Sequence, residues 1–148
     1  MRHSSKAKSP ARRGAAMVEM AIVLPIFVLV SLGVVEFGRA LMVANMVTNS
    51  AREGARMAVL DGSTNTEVTK AVTDFLTSTL NVKPGDVSVG ITITPAAGNP
   101  NPNNQCGAAK ARDLIAINVQ VPYSKVALIP AKFLGSTTLH GASAMRHE

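Results

Sequence analysis

The chain has 148 residues, 47% of them hydrophobic but only 3% aromatic, and a formal net charge of +6. That length holds one modest globular domain plus an anchor and excludes a large enzyme with two independent cores. Residues 1–14 carry Arg2, Lys6, Lys8, Arg12 and Arg13 and no acid, leaving ten Lys/Arg against nine Asp/Glu elsewhere, so the folded part lacks the basic excess that nucleic-acid binding requires.

From Ala15 to Val35 only Glu19 is charged. At about 1.5 Å per residue this stretch spans roughly 31 Å, the hydrocarbon thickness of a bilayer. A secretory signal would have an apolar region of roughly 7 to 15 residues ending in an A-x-A-like site. This stretch is longer and runs into Glu36, Phe37, Gly38 and Arg39. The basic cluster on its N-terminal side predicts a cytoplasmic N-terminus and an extracytoplasmic remainder. Pro25 removes a donor within the span and predicts a kink near Ala21.

An ionised Glu19 inside apolar surroundings costs several kcal/mol unless it is paired or near an interface. One reading places it at headgroup level, reaching back to Arg12 or Arg13. The other rests on spacing: a cut after Gly14 makes Ala15 the N-terminus and Glu19 residue five, able to neutralise the new amine of a neighbouring subunit. Burying such a pair is tolerable, whereas burying either charge alone is not.

Beyond the span, Phe37, Leu41, Ala44, Thr48, Ala51, Ala55 and Ala58 recur at heptad-like spacing. They predict one helix from about Ala15 to Leu60, ended by Asp61-Gly62 with Gly62 as a left-handed cap. Residues 48–60 are expected to pack on the protein's own sheet, and Phe37 to Ala44 to face another subunit. Glu36 with Arg39, and Glu53 with Arg56, stand at i, i+3 and can form weak intrahelical pairs. The first of these, at the membrane boundary, is a candidate assembly contact.

Thr64 and Glu67 form a capping-box pattern ahead of an amphipathic helix over about 65–80, with Val68, Ala71, Val72, Phe75, Leu76 and Leu80 on its apolar side. A turn at Lys83 to Asp86 leads into a strand carrying Val87, Val89, Ile91 and Ile93. A second strand follows over Asp113 to Val121 and a third over about Thr137 to Met145. Pro95 to Gly107 reads as an exposed irregular loop containing the single cysteine, Cys106, taken as a loop thiol or an intermolecular bridge. Tyr123 to Leu134 reads as a connection lying across the sheet. His3, His140 and His147 are scattered, so neither a metal site, a cofactor site nor a catalytic constellation is expected.

Three stretches, Arg12-Arg13-Gly14-Ala15-Ala16-Met17-Val18-Glu19 through Pro25, Glu36-Phe37-Gly38-Arg39-Ala40, and Ala51-Arg52-Glu53-Gly54-Ala55-Arg56, resemble the TadE-like pseudopilins of tight-adherence (Flp-type) pilus systems. The resemblance is strong over roughly 12–62 and looser over Thr138 to Glu148. It implies that a membrane-embedded prepilin peptidase cuts between Gly14 and Ala15, with Glu19 as the motif glutamate. It further implies a non-enzymatic subunit that partners the membrane, other pilins or pseudopilins and the assembly machinery of a surface pilus used in adhesion. The expected organisation is a basic cytoplasmic leader (1–14), a transmembrane helix (15–38), its extramembrane continuation (39–61) and a small extracytoplasmic domain (62–148). The expected fold is α+β and pilin-like, a long helix packed on a small, mainly antiparallel sheet with one additional short helix. The rival reading is an uncleaved single-span envelope protein whose outer domain is a binding or scaffold module.

Overall fold

The computed structural model describes residues 10–127 and 135–148, with side chains from Gly14 onward. The expected connection over Tyr123 to Leu134 therefore lies partly outside the described residues. The chain divides between Phe37 and Gly38 into two units, and one helix, α1 (Pro10–Ala58), contributes to both.

In the first unit α1 begins at Pro10 rather than at Ala15. Proline suits this position because the first N–H groups of a helix have no intrahelical acceptor to lose. Every residue from Gly14 to Val30 is exposed, and the helix is long and apolar enough to cross a membrane. The helix continues on both sides of Pro25, since one missing donor leaves the neighbouring bonds intact.

The second unit is α+β. Residues 38–58 of α1 and α2 (Asn65–Leu80) accompany a three-stranded antiparallel sheet of β1 (Ser88–Thr94), β2 (Leu114–Pro122) and β3 (Thr138–Arg146), in the order β1-β2-β3. Ile91 pairs with Ile117, which pairs with Ser143 across the other ladder. Alternation puts Ile115, Ile117, Val119 and Val121 on the core face of β2, all fully buried. The central strand supplies this row because it alone has neighbours on both sides.

The buried stripe of α1 is Val43, Val47, Ala51, Ala55 and Ala58. Of the heptad-like positions expected to pack on the sheet, Ala51, Ala55 and Ala58 are buried and Thr48 is only half-buried, whereas Phe37 and Leu41, expected to face another subunit, are exposed and Ala44 is half-buried. The core spacing is mostly four residues, and a helix of 3.6 residues per turn drifts off a strict seven-residue repeat. The helix also stops at Ala58 rather than Leu60. Gly62, at φ +81°, lies in the following turn and not at the helix cap.

α2 begins as expected. Glu67 N–H donates to Thr64 Oγ1 (3.3 Å) and Thr64 N–H to Glu67 Oε2 (3.0 Å); the Thr64 hydroxyl, donating to Glu67 Oε2 (2.8 Å), and then the Thr64 N–H hold the Glu67 carboxyl below its usual pKa. Asn81 closes the helix in a left-handed conformation with its N–H on the Thr77 carbonyl. Val68, Val72, Leu76 and Leu80 are its buried side, whereas Phe75, expected among them, is 46% exposed. Four-residue steps from Val68 leave position 75 at the rim of the buried arc.

Two glycines set how closely these layers approach. A Cβ on Gly141 would lie 2.6 Å from the carbonyl carbon and oxygen of Val47, so β3 meets the α1 backbone directly. A Cβ on Gly54 would lie 2.6 Å from Val72 Cγ2, so α1 and α2 also cross at close range.

Candidate functional site

The residues singled out in the sequence all lie on α1. Gly14, Ala15 and Glu19 are exposed in the first unit. Ala15 and Glu19 stand one turn apart on the same helix face. A Cβ on Gly14 would meet nothing within 4 Å, so the fold itself places no steric demand for glycine there. The bond after Gly14 lies inside the second turn of the helix, because α1 already starts at Pro10.

Glu36 is buried, with 7% of its surface accessible, between the exposed Val35 and Phe37. Arg39 turns its Nε to the carbonyl oxygen of Val126, donating a short hydrogen bond across the second unit. The geometry therefore ties Arg39 to the turn after β2. Glu53 and Arg56 approach at 3.9 Å with both side chains largely exposed, an arrangement worth at most a few tenths of a kcal/mol.

Residues 14–56 match the family model described as TadE-like protein. The N-terminal helix is thus TadE-like. The match covers 43 of the 148 residues, on the helix that is long and apolar enough to cross a membrane. The TadE-like match takes in Gly14, Ala15, Glu19, Glu36 and Arg39 and stops just before the end of α1. No curated protein and no solved structure matches the chain significantly.

The segment after β1 is irregular and mostly exposed, as expected, but it is fastened by hydrogen bonds and ends beside a buried carboxylate. Asp113 is fully buried. Its Oδ1 accepts from the Ala96 N–H (2.8 Å) and from Asn99 Nδ2 (2.7 Å), and its Oδ2 accepts from the Lys110 N–H (2.8 Å). These donors, with Asn99 first, keep its carboxyl below the usual carboxylate range. Further along, Asn104 Oδ1 accepts from the Ile93 N–H (2.8 Å), and the Asn104 carbonyl accepts from Asn65 Nδ2 (2.7 Å). Asn65 Oδ1 in turn accepts from the Cys106 N–H (2.8 Å).

Asparagine side chains thereby fasten the segment to both β1 and the start of α2. Cys106 is 3% exposed and belongs to the core cluster, and burial raises its thiol pKa. That position argues against an intermolecular bridge. The density of Asn in 99–104 was the available signal, since Asn side chains substitute for backbone partners in turns. Asp113 had no such signal, because nothing in its neighbours announces three converging donors.

Among the described residues no group of three His, Cys, Asp or Glu is arranged to hold a metal ion. His147 is 7% exposed with Nε2 3.7 Å from Asp61 Oδ1, and His140 is exposed on β3.

Proposed function

We propose that the chain is a pseudopilin: a membrane-anchored subunit whose leader is removed by a prepilin peptidase and which then takes part in assembling a Tad-type adhesive pilus. The observation that carries this reading is the TadE-like match over residues 14–56, which starts at the glycine before the proposed scissile bond. Two features support it. Gly14 makes no close packing contact that would explain glycine, and Glu19 is an exposed carboxylate within an otherwise apolar, exposed run.

In this proposal Gly14 precedes the bond that is cut and Ala15 becomes the mature N-terminus. A peptidase must draw the backbone out of its helical hydrogen bonds before it can cut. Gly14 eases this, because glycine is about 1 kcal/mol less favourable than alanine in a helix. Glu19 then neutralises the Ala15 amine of a neighbouring subunit when helices pack side by side in the membrane. Arg2, Lys6, Lys8, Arg12 and Arg13 hold the leader on the cytoplasmic side, leaving the second unit outside. Glu36 and Arg39 sit at the outer boundary, where Arg39 steadies the domain through Val126.

The test is the intact mass of the protein isolated with and without a co-expressed prepilin peptidase. Loss of residues 1–14 only in its presence supports the reading. A full-length product with every such peptidase sinks it and leaves the uncleaved envelope anchor as the better account.

A further inference from the structure

The two edges of the sheet are not equivalent. Beyond β3 the ladder continues with the His147 N–H donating to the Asp113 carbonyl (2.9 Å), and at the other end the Tyr123 N–H donates to the Thr137 carbonyl (2.8 Å). With the β2–β3 register, these bonds assign the odd-numbered residues Leu139, Gly141, Ser143 and Met145 to pairing with β2, because bonded and non-bonded pairs alternate in an antiparallel ladder. The N–H and C=O groups of His140, Ala142, Ala144 and Arg146 therefore point away from β2. No backbone hydrogen bond joins them to another described element.

The same alternation points Val89, Ile91 and Ile93 outward on β1. There the Ile93 N–H is already taken by Asn104 Oδ1, so the loop closes part of that edge. Among the described residues, β3 has no comparable guard. It contains no proline and no acid, and its centre, Gly141-Ala142-Ser143-Ala144, is made of small residues. Natural sheets ordinarily protect such an edge with proline, charge, a bulge or a covering element. Its four outward positions are exposed, and Arg146 forms no ion pair among the described residues.

We propose that β3 is a docking edge that accepts an extended segment of a partner polypeptide, small at its centre and carrying an acidic residue beside Arg146. Main-chain bonds to residues 140–146 supply the attachment, and the small centre with the unmatched Arg146 supplies the selectivity. A second copy fits this poorly. Its β1 carries no acid and is capped at Ile93. Its β3, laid antiparallel about Ala142, would set Thr138 and not a carboxylate opposite Arg146. The proposal does not depend on whether the leader is cleaved.

The experiment uses the full chain in detergent micelles and follows individual backbone amides by hydrogen exchange. Two nine-residue synthetic Thr/Val peptides with alanine at the centre serve as probes, one with aspartate at each end and one with lysine. In the free chain the amides of His140, Ala142 and Ala144 should exchange rapidly. The aspartate peptide should slow them by about tenfold or more and the lysine peptide should not. Ala142→Pro removes a donor that β2 does not use, so the variant should melt like the parent yet lose the protection. Should that variant fold poorly, Arg146→Glu gives an independent reading: the preference should reverse to the lysine peptide. Slow exchange at these amides in the free chain, no protection by either peptide, an unreversed preference in Arg146→Glu, or protection that instead follows protein concentration would each overturn the proposal.

Discussion

The backbone of Val47 passes so near Gly141 that a single methyl group at residue 141 would lie 2.6 Å from the Val47 carbonyl. Backbone cannot rotate out of the way as a side chain can, so α1 would have to lift from β3. Gly141→Ala should therefore cost about 1–3 kcal/mol, the usual range for overpacking a filled core. At Gly54 the obstacle is Val72 Cγ2, also at 2.6 Å, and a rotamer change can relieve part of it. Gly54→Ala should cost less. Gly90→Ala, whose nearest contact would be an ordinary 3.8 Å, should stay within about 0.5 kcal/mol of the parent. Thermal melts followed by circular dichroism give the ranking. A Gly141→Ala variant that melts with the parent would show that the two layers are looser than described.

This contact also marks the limit of what the sequence reveals. Periodicity located α1, α2 and all three strands, because period-two and four-residue patterns follow from which side of an element is buried. It could not locate the rotation of α1 against the sheet. Val43 and Ala44 are both apolar, and only the structure shows that Val43 and Val47 face inward, where the Val47 backbone meets Gly141. The N-terminal motif was legible because Gly14 and Glu19 interrupt a uniform run. Arg39 was legible as a charge at a boundary, but its acceptor, the Val126 carbonyl, is a backbone atom far along the chain, and no residue type encodes that.

Cys106 tests the correction to the loop. Because the thiol is 3% exposed and burial raises its pKa, it should react with a maleimide at neutral pH at least about tenfold more slowly than in denaturant. Non-reducing electrophoresis of the native protein should show monomer. Fast labelling of the folded chain would mean that the Asn65–Asn104–Cys106 fastening opens readily in solution.

Asp113 should give the second unit an acid-sensitive corner. Its folded-state pKa is lowered by Asn99 and by the Ala96 and Lys110 amides, so its contribution is present above the ordinary aspartate range and disappears as pH falls through the folded value. Acidification should release the Ala96 and Lys110 amides to rapid exchange before the β2–β3 ladder opens. Asp113→Asn places an amide donor or a weaker acceptor against three donors. The variant should melt below the parent at pH 7, with the difference narrowing toward pH 3. An equal deficit at both pH values would show that shape, not charge, holds the corner.

Processing and assembly should separate at Gly14 and Glu19. Leucine at residue 14 is a better helix former than glycine and adds bulk beside the scissile bond, so Gly14→Leu should both stiffen the turn that must unwind and obstruct a narrow protease site. Its leader should remain attached. Gly14→Ala adds only a methyl group that meets nothing within 4 Å, so the fold should tolerate it and cleavage should slow without stopping. Glu19→Gln keeps the shape of the side chain and removes its charge. If the carboxylate serves to neutralise a neighbour's Ala15 amine, the leader of this variant is still cut, but subunits no longer associate in the membrane, since each new amine is left without a counter-charge. Intact mass reports the first step through loss of residues 1–14, and crosslinking between membrane-embedded helices reports the second. Full cleavage of Gly14→Leu at the same bond would remove the protease argument, and crosslinking of Glu19→Gln at the parental level would remove the charge argument.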